Sequence, residues 1–184
     1  MKRIFISLAS VSILLLGAAF VLGMSIEDAK RPTEAAQSIV TTHFLTAVAA
    51  LVFAALLHAI WLTYFVGTGR WLEETSVAYH LPARWTSENR SLKFRVLPVV
   101  AACLLLLIVT GAIGASVDPA SSVNFTGFAG LSGEMVHFLT AATTISFHLL
   151  LIAWEYQAID RNGELIEEVL DEVRGIREQR GLPV

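Results

Sequence analysis

Five histidines occur in the 184-residue chain, and His43, His58, His137 and His148 lie inside two long apolar stretches. Imidazole changes charge near neutral pH and is the commonest metal ligand, through either ring nitrogen. In a bilayer such a group is costly and faces the interior of a helix bundle, where it marks ion paths, proton relays or ligand sites. At about 100° per residue, the 15-residue step from His43 to His58 turns a helix by roughly 60°. The 11-residue step from His137 to His148 turns it by roughly 20°. Each stretch, if helical, presents its two histidines on nearly one face. His58 and His148 then lie deeper than His43 and His137, by roughly 22 and 16 Å at 1.5 Å per residue. No Asp, Glu, Lys or Arg sits in the middle of a stretch, which leaves imidazole as the ionisable chemistry there.

Positioning these residues requires the stretches to cross a membrane. Hydrophobic residues make up 55% of the chain and charged residues 16%, against about 45–50% and 25% in a soluble domain. The charges gather in 26–31, 70–95 and 155–180. A helical crossing needs about 20 apolar residues, and 4–23, 39–66, 96–115 and 135–158 supply them. Backbone groups cannot stay unpaired in lipid, so each stretch is expected to be helical throughout. Lys2 and Arg3 before an apolar run also describe a secretory signal. The run is about 20 residues rather than about 7–15, however, and no clean A-x-A site follows. The net charge of −3 says little about partners, but no basic tract suggests nucleic acid, and the expected partner is the lipid bilayer. Cys103 is a lone cysteine in an apolar run, which rules out a disulfide framework and reads as inert packing.

Orientation follows from Lys and Arg in short loops. Lys2 and Arg3, the loop with Arg70, Arg84, Arg90, Lys93 and Arg95, and the tail with Arg161, Arg174, Arg177 and Arg180 share one side. The 24–38 loop has only Lys30 and Arg31, and the 116–134 loop has neither residue type. Both termini are therefore expected to be cytoplasmic, in a bacterial inner membrane. Trp61, Tyr64, Trp154 and Tyr156 fall near the cytoplasmic ends of spans two and four, as an aromatic belt would.

The chain also repeats itself. His43-Phe-Leu-Thr-Ala47 recurs as His137-Phe-Leu-Thr-Ala141, 94 residues later, and the same separation carries Gly69 onto Gly163 and Glu73-Glu74 onto Glu167-Glu168. Upstream, Leu14, Leu15 and Leu16 with Gly23 and Ser25 match Leu105, Leu106 and Leu107 with Gly114 and Ser116 at a separation of 91. The expected fold is an all-α integral membrane four-helix bundle of two parallel, duplicated hairpins. The transmembrane domain spans 1–160, with repeats at about 4–75 and 96–169, and a cytoplasmic amphipathic tail helix occupies 161–184.

Two facing histidine pairs at two depths are what bis-imidazole haem ligation requires, with an axial nitrogen from each side of the iron. In plan, spans two and four with His43, His58, His137 and His148 resemble the membrane cytochromes b, in which two helices each carry two histidines and hold stacked haems. The resemblance implies an outer haem on His43 and His137, an inner one on His58 and His148, and a role as an electron-transfer subunit rather than a complete enzyme. The steps of 15 and 11 depart from the near-equal steps of about 13 or 14 in that family. The repeat partner of His58 is Ile152, one helical turn from His148.

Other readings stand beside this one. Buried histidines can simply join helices by hydrogen bonds, each about 0.6 kcal/mol on average, in a cofactor-free scaffold or accessory subunit of a larger complex. A small transporter with a histidine-lined path is a third reading. A non-haem metal fits less well, because two histidines per level with no carboxylate or thiolate make a poor set. Gly67-Thr-Gly-Arg-Trp71 reads as a helix stop, residues 71–80 as a short segment lying on the membrane, and His80 as a surface residue. The 119–132 loop, rich in Gly, Ser and Phe, could cover an outer site.

Overall fold

The computed structural model describes residues 1–31 and 33–183; Pro32 in the first loop and Val184 at the end of the tail lie outside the described residues. Its helices are α1 (Lys2–Met24), α2 (Glu34–Tyr79), α3 (Arg84–Val117) and α4 (Gly133–Gln179). All four are long and apolar enough to cross a membrane. The bundle is built outside in. Leu14, Val21, Leu45, Val52, Leu105, Ile108 and Leu150 are exposed on its surface, whereas Ser12, His58, Thr144, His148, Glu155 and Asn162 are buried. Apolar surface this extensive marks contact with lipid rather than water.

The helices run alternately up and down. At one end lie the connection between α1 and α2 and a small hairpin, β1 (Gly127–Phe128) paired with β2 (Leu131–Ser132). At the other end the N-terminus meets α4, where Lys2 pairs with Asp160. These are the loop end and the terminal end. Each helix turns a narrow stripe inward. On α1 it is Phe5, Ala9, Ser12, Leu16 and Ala19; on α3 it is Val96, Val100, Cys103, Leu107 and Thr110. Steps of four and three residues are the seam spacing of a supercoiled bundle. The burial of this stripe makes α1 a structural member of the fold.

Helices α2 and α4 are far longer than a bilayer needs, at 46 and 47 residues. The expected helix stop at Gly67–Gly69 is absent, and α2 continues to Tyr79, where His80 closes it in a left-handed conformation (φ 57°). Gly69 instead makes room for α3: a Cβ there would stand 2.8 Å from Asn89 Oδ1. Residues 71–79 thus belong to α2 and do not form a separate surface segment. Likewise 161–179 continue α4 without a break. Leu72, Trp85, Leu165 and Val169 give these extensions a second, smaller core beyond the apolar spans. Between the two cores, Asn89 donates to Asn162 Oδ1 at 2.7 Å, and Asn162 donates to Thr68 Oγ1 at 3.0 Å.

Arg161 fastens the extensions, donating to Glu88 at 2.6 Å, Glu164 at 2.9 Å and Glu168 at 3.0 Å. The Arg161 hydrogen bond holds the Glu168 carboxyl below the usual carboxylate range, helped by a bond from Trp85 and by Coulomb attraction to Arg161 and Arg84. A carboxyl with a depressed folded-state pKa stabilises the fold above its unfolded pKa of about 4.3 and stops doing so as pH falls through the folded value. Acidification through and below pH about 4 is therefore expected to loosen the Trp85–Glu168 contact. Tryptophan fluorescence checks this, because the acid transition should vanish in Glu168→Gln.

Candidate functional site

The interior holds two levels of histidine chemistry. Near the loop end His43 on α2 and His137 on α4 face each other edge to face, with ring centroids 6.3 Å apart. Both are half-buried. His43 Nδ1 lies 2.9 Å from the Ala19 carbonyl on α1, to which it donates. The Nδ1 of His137 is buried without a hydrogen-bond partner among the described residues. A glycine backs each ring. A Cβ on Gly23 would stand 2.9 Å from His43 Cε1, and one on Gly114 would stand 2.7 Å from His137 Cε1. The two imidazoles can approach α1 and α3 this closely only because those positions lack a side chain.

The deeper level is a closed cluster. His58 Nε2 and His148 Nδ1 are 3.1 Å apart, so the offset between their positions needs no ligand to absorb it. The other nitrogens are also engaged: His58 Nδ1 is 2.8 Å from Glu155 Oε1, and His148 Nε2 is 3.0 Å from Ser12 Oγ. Cys103 Sγ lies 3.6 Å from His58 Nε2 and 4.0 Å from His148 Nδ1. Trp61 closes the terminal side, its indole N–H donating to the Glu155 carbonyl at 3.3 Å. Every one of these side chains is fully buried.

The arrangement follows from helix geometry. Glu155 is seven residues beyond His148, two turns along the same face of α4, and His58 reaches between them from α2. With Glu155 as a carboxylate, His58 Nδ1–H must donate to it, which leaves the single lone pair of His58 Nε2 to accept from His148 Nδ1–H, with the weakly donating Cys103 thiol packed against both rings. His148 Nε2 then accepts from the Ser12 hydroxyl. One consistent set of neutral rings thus satisfies the cluster, apart from Glu155 Oε2, which has no partner among the described residues. Toward the loop end Thr110 and Thr144 continue the polar interior, their hydroxyls 2.7 Å apart.

Several expectations change here. All four candidate histidines pair as expected, His43 with His137 and His58 with His148. The deeper pair stands closer together than two ligands of one haem. Nitrogens bound on opposite faces of one iron stand about 4 Å apart with a macrocycle between them, whereas these two are in direct hydrogen-bond contact. Cys103 is not isolated in apolar packing, and Glu155 brings a carboxylate inside the bundle. A carboxylate and a thiol thus stand beside the two imidazoles, donors that a non-haem metal can use. Trp61 is buried beside Glu155 and takes no part in an interfacial belt, whereas Trp154 is half exposed.

Sequence reasoning missed Ser12, Cys103, Glu155 and Trp61. The available signal was spacing, because Ser12 and Cys103 are separated by the same 91 residues as Leu14 and Leu105. Comparison with protein-family models, with curated proteins and with solved structures gave no match, so a functional assignment rests on these two levels alone.

Proposed function

We propose that the chain is a membrane-embedded, cytochrome b-like electron-transfer subunit that holds one haem between α2 and α4 through His43 and His137. The observation that carries this reading is the spacing of that pair. Two imidazoles on opposite sides of one metal ion put their ring centres roughly 6 Å apart, for metal–nitrogen distances of about 2 Å, and the centroids here are 6.3 Å apart. A histidine ligand characteristically donates its other ring N–H to a carbonyl, which orients the ring. His43 does so with Ala19, leaving Nε2 for iron. Haem b bound there would supply reversible one-electron chemistry inside the bilayer. The chain itself orients the two rings, and Phe20 and Phe138 pack at the same level with centroids 5.5 Å apart.

A duplicated hairpin underlies the pair. Phe5, Ala9, Ser12, Leu16 and Ala19 each lie 91 residues before Val96, Val100, Cys103, Leu107 and Thr110, and all ten are buried. Gly23 lies 91 residues before Gly114 and His43 lies 94 before His137, and each glycine backs its histidine ring. Parallel copies are related by an axis along the membrane normal, and two symmetry-matched histidines facing across such an axis are suited to one iron. We place both termini and the helical extensions in the cytoplasm, following the Lys and Arg distribution. There the extensions would meet a redox partner or a larger membrane complex.

Protein expressed with ample haem and purified in detergent should show a Soret band, one haem per chain and a low-spin, bis-histidine electron paramagnetic resonance signal. His43→Ala and His137→Ala should each abolish it, and so should Gly114→Val, which pushes the His137 ring out of place. His58→Ala should keep it. A folded, colourless wild-type protein would overturn the reading in favour of a cofactor-free scaffold or a small transporter.

A further inference from the structure

We infer that His58, His148 and Cys103 form a second, separate site that takes one late first-row transition ion, copper or zinc, at the centre of the bundle. The three ligand atoms form a triangle with sides of 3.1, 3.6 and 4.0 Å. Around a tetrahedral ion with nitrogen at about 2.0–2.1 Å and thiolate sulfur at about 2.3 Å, the nitrogens lie about 3.3 Å apart and the sulfur about 3.6 Å from each. Shifts of a few tenths of an ångström bring the three atoms onto one ion. Imidazole and thiolate together suit copper and zinc, and exclude magnesium and calcium.

The surroundings are those of a supported site. Each ring already has a partner for the nitrogen that would not bind metal: Glu155 for His58 Nδ1 and Ser12 for His148 Nε2. Such partners fix the tautomer and aim the ligand. Ligation at His148 Nδ1 moves that ring's proton to Nε2, which then donates to Ser12 Oγ, while His58 keeps its tautomer. The hydrated divalent ion gives up all but one of its waters, the last filling the fourth tetrahedral position, and Cys103 gives up its thiol proton to solvent. The thiolate and the Glu155 carboxylate then supply two negative charges against the two positive charges of the ion. This neutrality is what a site buried in a low-dielectric bundle needs, and it gives the enclosed carboxylate a purpose.

The inference stands apart from the haem reading, since it uses different residues at a different level. Its test is metal analysis of the full-length protein, purified in detergent from cells supplied with copper, zinc or cobalt. One equivalent per chain is expected from at least one of these, and whether copper or zinc is retained identifies the resident ion. The cobalt or copper form should show a thiolate-to-metal charge-transfer band. Cys103→Ser should remove that band, while Glu155→Gln and Ser12→Ala should keep it and weaken retention about 10–100-fold. Any Soret absorption should be the same in Cys103→Ser as in wild type. Folded wild-type protein that takes up no stoichiometric metal, or a band that survives Cys103→Ser, would overturn the assignment whatever the haem content.

Discussion

Replacing His58 with Leu is expected to destabilise the metal-free bundle by about 3 kcal/mol, the cost of leaving a buried charged acceptor without its hydrogen-bond donor. The loss arises mainly at Glu155. Its Oε1 is 2.8 Å from His58 Nδ1, its Oε2 has no partner among the described residues, and the side chain is fully buried. Without the imidazole, the carboxylate must take a proton or stay charged in an apolar interior. The second substitution is therefore the informative one. Glu155→Leu added to His58→Leu should restore most of the lost stability, because two apolar groups replace the pair. Unfolding titrations in mixed micelles on both single variants and the double variant measure the coupling. Equal destabilisation of His58→Leu and the double variant would show that Glu155 does not depend on His58.

Trp61→Ala is expected to cost about as much, 3–5 kcal/mol, by a different route. The indole is fully buried, packs on Phe65 at 4.6 Å between centroids and covers the terminal side of the cluster. Truncation leaves a void that helices held by backbone ladders cannot collapse to fill. Its hydrogen bond matters much less, since the Glu155 carbonyl keeps its helical partner. Trp61→Phe should thus lose only about 1 kcal/mol. The same titrations separate the two cases, and comparable losses for Phe and Ala would mean that the N–H bond, not the ring volume, holds this side of the cluster.

The membrane architecture was legible because the cost of exposing backbone to lipid is read over some twenty residues at a time, and no single residue decides it. The pairing of His43 with His137 was legible from the recurrence of five residues around each. The helix ends beyond the bilayer were not. Gly67 and Gly69 look like a stop, yet Gly69 is the contact that lets Asn89 approach, and packing of the extensions outweighs the low helix propensity of glycine. Ser12 and Cys103 were hidden for another reason. Each is one small polar residue in an apolar run, with no local pattern to separate a ligand from filler. Glu155 escaped notice beside Trp154 and Tyr156, where a carboxylate at a membrane boundary is unremarked. Only its coincidence with the inward seam of α4 distinguishes it.

The deeper cluster draws on every helix: Ser12 from α1, His58 from α2, Cys103 from α3, and His148 with Glu155 from α4. A chain made from its N-terminus delivers these groups in that order, so Ser12 Oγ and His58 Nδ1 arrive before the side chains they bond to. The last helix to arrive brings Glu155 for His58 Nδ1 and His148 for Ser12. Biogenesis of this bundle therefore has a built-in completion step. A chain stalled or cut before residue 133 retains three apolar helices that lipid will accept, but their seams lack a matching face.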